Sequence, residues 1–454
     1  MTTVQGHAER SSPRAERLRI LLCATPIHGH VRPLVDIGRG LASRGHAVTM
    51  LTGSKYRDIT QENQLVWWPI PREADYDDAD LEAWMPGRSA RRGIAAGRHD
   101  VINLFIRPLR AQHGALMEAL GRGSFDAVVA EAAFLGTLPL LLRVPASDRP
   151  PVVGVSTTPL SVVSLDCAPF GSGMMPGHPS HTRLRNPISQ AALRHCWLRP
   201  LHDALDAELA PYGLPPRSLD YFDHVTAYDE TFHLGVPEIE YPRRELPDRI
   251  HFVGPPRPAH TPDSALPSWW SDLDERPTVV HVTQGTMDNH HLDKLVGPVL
   301  QALRHENVLV VASTGGRPTT ELVHDLGGRL PDNARVAEFV AYDRLLPSTA
   351  VMITNGGFGG VQQALAHGVP LVVAGATEDK KEVAARVAWS GTGVNLRTGR
   401  PSPLALRRAV QRILAEPEFG RRADALRQRT DELGDPVQAI LERLTSLIAG
   451  GGRG

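Results

Sequence analysis

A chain of 454 residues exceeds what one hydrophobic core normally organises, so two domains of ordinary size are expected. Its 41% apolar and 22% charged residues are those of a globular protein, and a formal charge of -1 gives no electrostatic footprint for nucleic acid or an anionic membrane. Cys23, Cys167 and Cys196 stand at wide spacings without a CxxC, against a disulfide framework or structural zinc, and no apolar run approaches membrane-spanning length; a cytoplasmic protein is expected.

In chain order, residues 1–16 are polar without an apolar stretch and read as a disordered tail rather than a signal peptide. A strand at 19–24, a loop at 25–30, a helix at 31–43 with Val31, Leu34, Val35 and Leu41 on helical spacing, and a strand at 48–52 form a βαβ unit. Apolar runs at 65–68, 127–130 and 152–155 extend a parallel sheet, giving an N-terminal domain over 17–250. Seven prolines crowd Tyr241 to Pro267, and the linker between domains is placed at 251–267. Strands are expected again at 278–283, 308–312, 335–339, 351–354 and 370–374, a second doubly wound domain over 268–430. A last helix follows in 431–454, capped by Asp435, with Val437, Ile440, Leu441, Leu444 and Ile448 on one face; it is expected to pack back toward the N-terminal domain and to end in a flexible Gly-rich tail.

Two such domains facing each other place a binding cleft at the carboxyl ends of both sheets, so chemistry is sought in the loops after strands. The first of these loops puts His30 at the start of a helix, where an imidazole can act as a base near neutral pH; a local structural role is the commoner use of an isolated histidine. His28 and His30 without a third ligand are weak support for a metal. Glu131 ends the strand at 127–130 above the same sheet edge and can fix the tautomer of His30, although a solvated strand end is as ordinary a role. In the second domain the turn Thr354-Asn355-Gly356-Gly357-Phe358-Gly359-Gly360 precedes a helix expected at 361–366. Its glycines and free N–H groups suit a diphosphate, though a tight turn alone explains them as well.

His28-Gly29-His30-Val31-Arg32-Pro33-Leu34, then Gly356-Gly357-Phe358-Gly359-Gly360 followed by His367-Gly368-Val369-Pro370-Leu371-Val372, give the chain its family look. It resembles, over nearly its whole length, the inverting, metal-independent nucleotide-sugar glycosyltransferases of the GT-B fold, an α/β architecture of two Rossmann-like domains across a cleft, and among them the bacterial macrolide and natural-product enzymes. The resemblance implies that His30 is the catalytic base and that Glu131 stands where the family has a supporting aspartate. It further implies a donor site with Thr286 and Asn355 at the diphosphate, the backbone of Phe339 and Val340 at the nucleobase, Gln363 at the ribose, and Asp379 and Lys380 at the sugar. Three donor-site positions depart from the family as well as Glu131: Asn355 replaces a histidine, Gln363 a glutamate and Lys380 a glutamine. Gln363 suits a deoxyribose nucleotide at least as well as a ribose, a slight lean to a dTDP donor over UDP. Lys380 either reaches the diphosphate or an acidic sugar, or is half of a solvated Lys-Lys pair.

The implied partners are a nucleotide diphosphate sugar and a small apolar acceptor such as a polyketide or aromatic aglycone, with no cofactor, no metal, and a homodimer possible. The acceptor would meet loops at 74–100 and 165–181, which hold Trp84, Phe170, Met174 and Met175. A retaining mechanism is disfavoured because the position of its second glutamate is Arg386, and an NAD oxidoreductase because no GxGxxG follows the first strand. A nucleotide-sugar epimerase and a catalytically silent binding partner stay open, the latter because of Asn355, Glu131 and Lys380.

Overall fold

The computed structural model describes residues 17–177, 179–194, 198–275 and 278–451; the expected tail, Cys196 and the last glycines lie outside them. Strands β1 (Arg19–Cys23), β2 (Ala47–Thr52), β3 (Val66–Pro69), β4 (Ala127–Glu131), β5 (Val152–Ser156), β6 (Thr231–His233) and β7 (Ile250–Phe252) form one sheet in the order β3-β2-β1-β4-β5-β6-β7. A second sheet holds β8 (Val279–Thr283), β9 (Leu309–Ser313), β10 (Ala334–Ala337), β11 (Thr349–Thr354), β12 (Leu371–Val373) and β13 (Gly393–Asn395), in the order β10-β9-β8-β11-β12-β13. Every strand pair is parallel. Near-continuous Val, Ile, Leu and Ala runs make such strands because both faces are covered, and β1, β4 and β5 are buried at nearly every position.

In each sheet the chain order reverses beside the first strand, between β1 and β4 and between β8 and β11. Loops that leave adjacent strands there part to opposite faces and open a crevice. Cys23 is in register with Ala130, and Thr283 with Thr354, so the residues after these four strands converge in two pairs.

Three details depart from the sequence expectations. The linker does not begin at 251, because Ile250–Phe252 is the edge strand of the first sheet, in register with Thr231–His233. The segment 74–100 is not one loop: it contains the helices Leu81–Trp84 and the start of Gly93–Val101, and the segment 165–181 runs into the helix Pro179–Ala192. The Gly-rich turn is shorter than expected, since the helix after β11 is Phe358–Ala366 and takes up Phe358, Gly359 and Gly360.

The final helix, Pro436–Gly451, follows the second domain in sequence but buries Val437, Ile440 and Leu444 in the core of the first, with Leu34, Val35 and Leu41 of the helix His28–Ser43. Its start is held by Asp435, whose carboxylate accepts from Val437 N at 3.0 Å and pairs with Arg44.

Candidate active site

His30 sits in the first turn of the helix His28–Ser43, directly after β1, and Glu131 is the last residue of the adjacent β4. His30 Nδ1 lies 2.9 Å from Glu131 Oε1, with side-chain exposures of 12% and 2%. The same oxygen accepts from Ala133 N at 2.9 Å and from Thr157 Oγ1 at 3.2 Å. With Nδ1 donating to the carboxylate, Nε2 is the basic nitrogen of His30. Burial pulls the pKa of His30 down, but Glu131, through its charge and hydrogen bond, and the charges of Asp379 and Asp78 raise it by more; it ends above the ordinary histidine value. His28, two residues earlier, goes the other way: burial lowers its pKa despite Asp78, whose Oδ2 accepts from His28 N at 2.7 Å. Its ring stacks on Phe339 of the opposite domain, 6.1 Å between centroids, so the two histidines do different work.

Apolar side chains surround this dyad. Phe105 lies 5.6 Å from the His30 ring. It packs on a cluster of Ile27, Tyr76, Leu81, Met85 and Leu104, together with Trp84 and, from the second domain, Met287. Tyr76 donates to Leu104 O at 3.1 Å, which satisfies its hydroxyl and leaves an apolar wall.

Across the cleft, Thr286 lies half-buried just after β8, and Asn355 follows β11. The Asn355 amide donates to Gln284 O, while its Oδ1 is buried without a hydrogen-bond partner. Gly356 has φ +91°, and a Cβ there would fall 2.9 Å from Val373 Cγ1, so only glycine fits. At Gly357 and Gly359 a Cβ would meet nothing within 4 Å: open space lies before the helix that starts at Phe358. The first N–H groups of that helix have no partner within it and, with the helix dipole, favour an anion.

Asp379 is the N-cap of the helix Lys380–Ser390, its side chain unused in capping. Burial pushes its pKa up to about 6, against the pull of Lys380. Lys380 is not solvated, contrary to one of the expectations for the Lys-Lys pair: it is 4% exposed and pairs with Glu378, while Lys381 is exposed. Glu378 has φ +52°, a left-handed conformation rare outside glycine. Phe339 projects its ring, 58% exposed, over Gly316, and Val340 is half-buried behind it. Gln363 Nε2 donates to Pro256 O of the linker at 2.9 Å.

Comparison with known proteins decides the family. Residues 317–447 match the model of the "Erythromycin biosynthesis protein CIII-like, C-terminal domain". The chain is 37% identical to 4'-demethylrebeccamycin synthase of Lentzea aerocolonigenes over 93% of its own length and 98% of that protein's. The chain belongs to the nucleotide-sugar glycosyltransferases. It is also 32% identical to UDP-glycosyltransferase 2 of Phaeomoniella chlamydospora, over 95% of this chain and 96% of that one. The fold matches the crystal structure of the glycotransferase of kitacinnamycin, with a TM-score of 0.68 and 21% identity over 94% of this chain and 99% of the other; the architecture is GT-B.

In this glycosyltransferase the two halves of the cleft are brought together as the strand-end reasoning anticipates, with the charge of Asp379 reaching His30. Thr157, one residue past β5, touches both members of the dyad, at 3.2 Å from Glu131 Oε1 and 3.5 Å from His30 Nδ1. The sequence reading missed it, although the strand-end rule that found Glu131 applies equally to the neighbouring β5. Met287 and Phe105 carried no local signal, because only folding brings them to the apolar cluster. Phe170 packs on Phe222 at 5.1 Å within its own domain, whereas Met174 and Met175 remain exposed.

Proposed function

We propose that the protein transfers a sugar, with inversion, from a nucleoside diphosphate to a hydroxyl of a small, flat, apolar acceptor. His30 Nε2 takes the acceptor proton while Glu131 stabilises the imidazolium that forms. The acceptor oxygen attacks the anomeric carbon from the face opposite the diphosphate, and the bond to the diphosphate breaks as the new one forms. Charge growing on the leaving group is met by the N–H groups of Phe358, Gly359 and Gly360 and by the Thr286 hydroxyl, a role that needs no metal. Asp379 and Lys380 hold the sugar, Phe339 and Val340 border the nucleobase, and Gln363 faces the ribose.

The observation that carries the reading is the 2.9 Å contact between His30 Nδ1 and Glu131 Oε1, which orients a base whose pKa lies above the ordinary value. The aromatic and thioether wall of Tyr76, Trp84, Met85, Phe105 and Met287 favours a planar apolar acceptor. The name of one relative, UDP-glycosyltransferase 2, agrees with a nucleotide-sugar donor. The Lys380–Glu378 pair balances the buried cation within the protein, so a neutral sugar is favoured over an acidic one.

The test is a panel of UDP- and dTDP-sugars with hydroxylated aromatic acceptors, run in EDTA. Transfer in EDTA, with loss of turnover in His30→Ala by a factor on the order of 10²–10⁴ and an unchanged thermal shift by nucleoside diphosphate, is expected. Undiminished turnover by His30→Ala refutes the base, and an altered sugar released from donor alone points to the epimerase.

A further inference from the structure

The helix Lys380–Ser390 bears, one turn past the residues assigned to the sugar, a set of charges that the transfer step does not use. Arg386 is 2% exposed, the largest of the fully buried side chains. Its Nε donates to Glu240 Oε2 at 3.0 Å, Nη1 to Glu382 Oε2 at 2.8 Å, and Nη2 to Leu160 O at 3.2 Å, with the guanidinium 4.4 Å over the Tyr241 ring. Glu240 and Leu160 belong to the N-terminal domain, and Glu240 Oε1 accepts from Leu160 N at 2.9 Å. Arg243 grips the same stretch through Leu160 O at 2.7 Å and Val162 O at 3.2 Å. Buried charges so fully bonded tolerate little displacement, since loss of one partner leaves another charge desolvated and unpaired.

The second oxygen of Glu382 reaches further along the same loop. Glu382 Oε1 accepts from Gly171 N at 2.9 Å and from Gly173 N at 2.8 Å. Gly173 has φ +63°, and a Cβ on it would lie 3.3 Å from Lys381 Cβ, so the loop backbone rests directly on the helix. The segment 160–173 is thus fastened at both ends to the helix that begins at the sugar-binding residues, and it leads into exposed Met174 and Met175.

We propose that Glu382, oriented by Arg386, is a positioning residue that couples the donor-side helix to the loop 160–173, so that binding of the nucleotide sugar orders that loop and the exposed Met174 and Met175 into which it leads. Ordering of one end of the helix is passed to the loop through two N–H bonds and a buried ion pair. This rests on the reading of the donor site above, and the experiment separates the two.

Hydrogen exchange of the full-length protein is followed with and without a nucleotide sugar, UDP-glucose or dTDP-glucose, which carries the sugar to Asp379 and Lys380. In the wild type, the nucleotide sugar slows exchange in 354–366 and, on the order of tenfold, in 160–177. In Glu382→Ala the first protection persists and the second is lost. Should Glu382→Ala not fold, Gly173→Ala presses the loop off the helix with the glutamate intact and is expected to uncouple the loop in the same way. Nucleotide-sugar protection of 354–366 without any effect on 160–177 in the wild type, or loop protection that survives in Glu382→Ala and Gly173→Ala, overturns the coupling. Protection of neither segment overturns the donor-site reading and the coupling with it.

Discussion

The His30 imidazole loses basicity to burial and regains more from Glu131, so as the acceptor's base it works only above a pKa that exceeds the ordinary histidine value. The rate is expected to fall as pH drops through that value, because the protonated ring cannot accept the acceptor's proton. Glu131→Gln removes the charge that raises it. The acid limb of the pH–rate profile should therefore move to lower pH, while the maximum falls by on the order of 10²-fold or more because the imidazolium loses its stabilising charge. An acid limb that stays in place in this variant would show that the titrating group is not His30. Thr157→Val tests the second contact: losing the hydroxyl's hydrogen bond to the Glu131 carboxylate should reduce kcat on the order of tenfold, about 1.5 kcal/mol.

At the scale of elements, the turn after β11 offers a contrast between two glycines. Gly356→Ala forces a left-handed conformation on alanine and places its methyl against Val373, so stability should fall by about 1 kcal/mol or more, together with nucleotide affinity. Gly359→Ala puts a methyl into open space on the first helical turn, where alanine is favoured over glycine by about 0.5–1 kcal/mol. The melting temperature should hold or rise while affinity for nucleoside diphosphate drops, because the methyl occupies the anion's space. Equal affinity in wild type and Gly359→Ala, measured by calorimetric titration, would remove the diphosphate from this helix end. Element boundaries were legible where propensity and tertiary structure agree, as in β1, β4 and β5. The three-residue strands β6, β7 and β13 escaped notice because each mixes apolar with polar residues or glycine, whereas the equally short β12 is wholly apolar, and β7 was hidden among prolines that read as linker.

At the scale of the molecule, the last helix ties the chain's end to its beginning. Ile440 is fully buried in the first domain's core, so Ile440→Ala should cost about 2–5 kcal/mol and lower that domain's unfolding midpoint, although the residue follows the second domain in sequence. A pH effect on stability is also built in. His281 on β8 donates from Nδ1 to Val311 O at 2.9 Å, and burial lowers its pKa to about 4. A depressed histidine pKa means that the unfolded chain binds the proton first, so stability is full above the unfolded value near 6.5 and declines as pH falls toward 4. This site alone should make the protein about 2 kcal/mol less stable at pH 5 than at pH 7, a slope that denaturation of His281→Gln should show reduced.

The sequence by itself determined the two doubly wound domains, because runs of apolar β-branched residues alternating with amphipathic helices admit few other arrangements, and it determined which loops to inspect, because ligands meet such sheets at strand ends. His30, Glu131 and the Gly-rich turn were legible as candidates by that rule, whereas Asp379 was named only through the family resemblance. Tertiary structure alone decided that one carboxylate oxygen of Glu131 serves His30, Thr157 and Ala133 together, that Lys380 is buried against Glu378, and that Arg386 joins the domains. Those contacts link positions separated by up to 226 residues or depend on which face of a helix is covered, and neither distance nor coverage is encoded in local spacing.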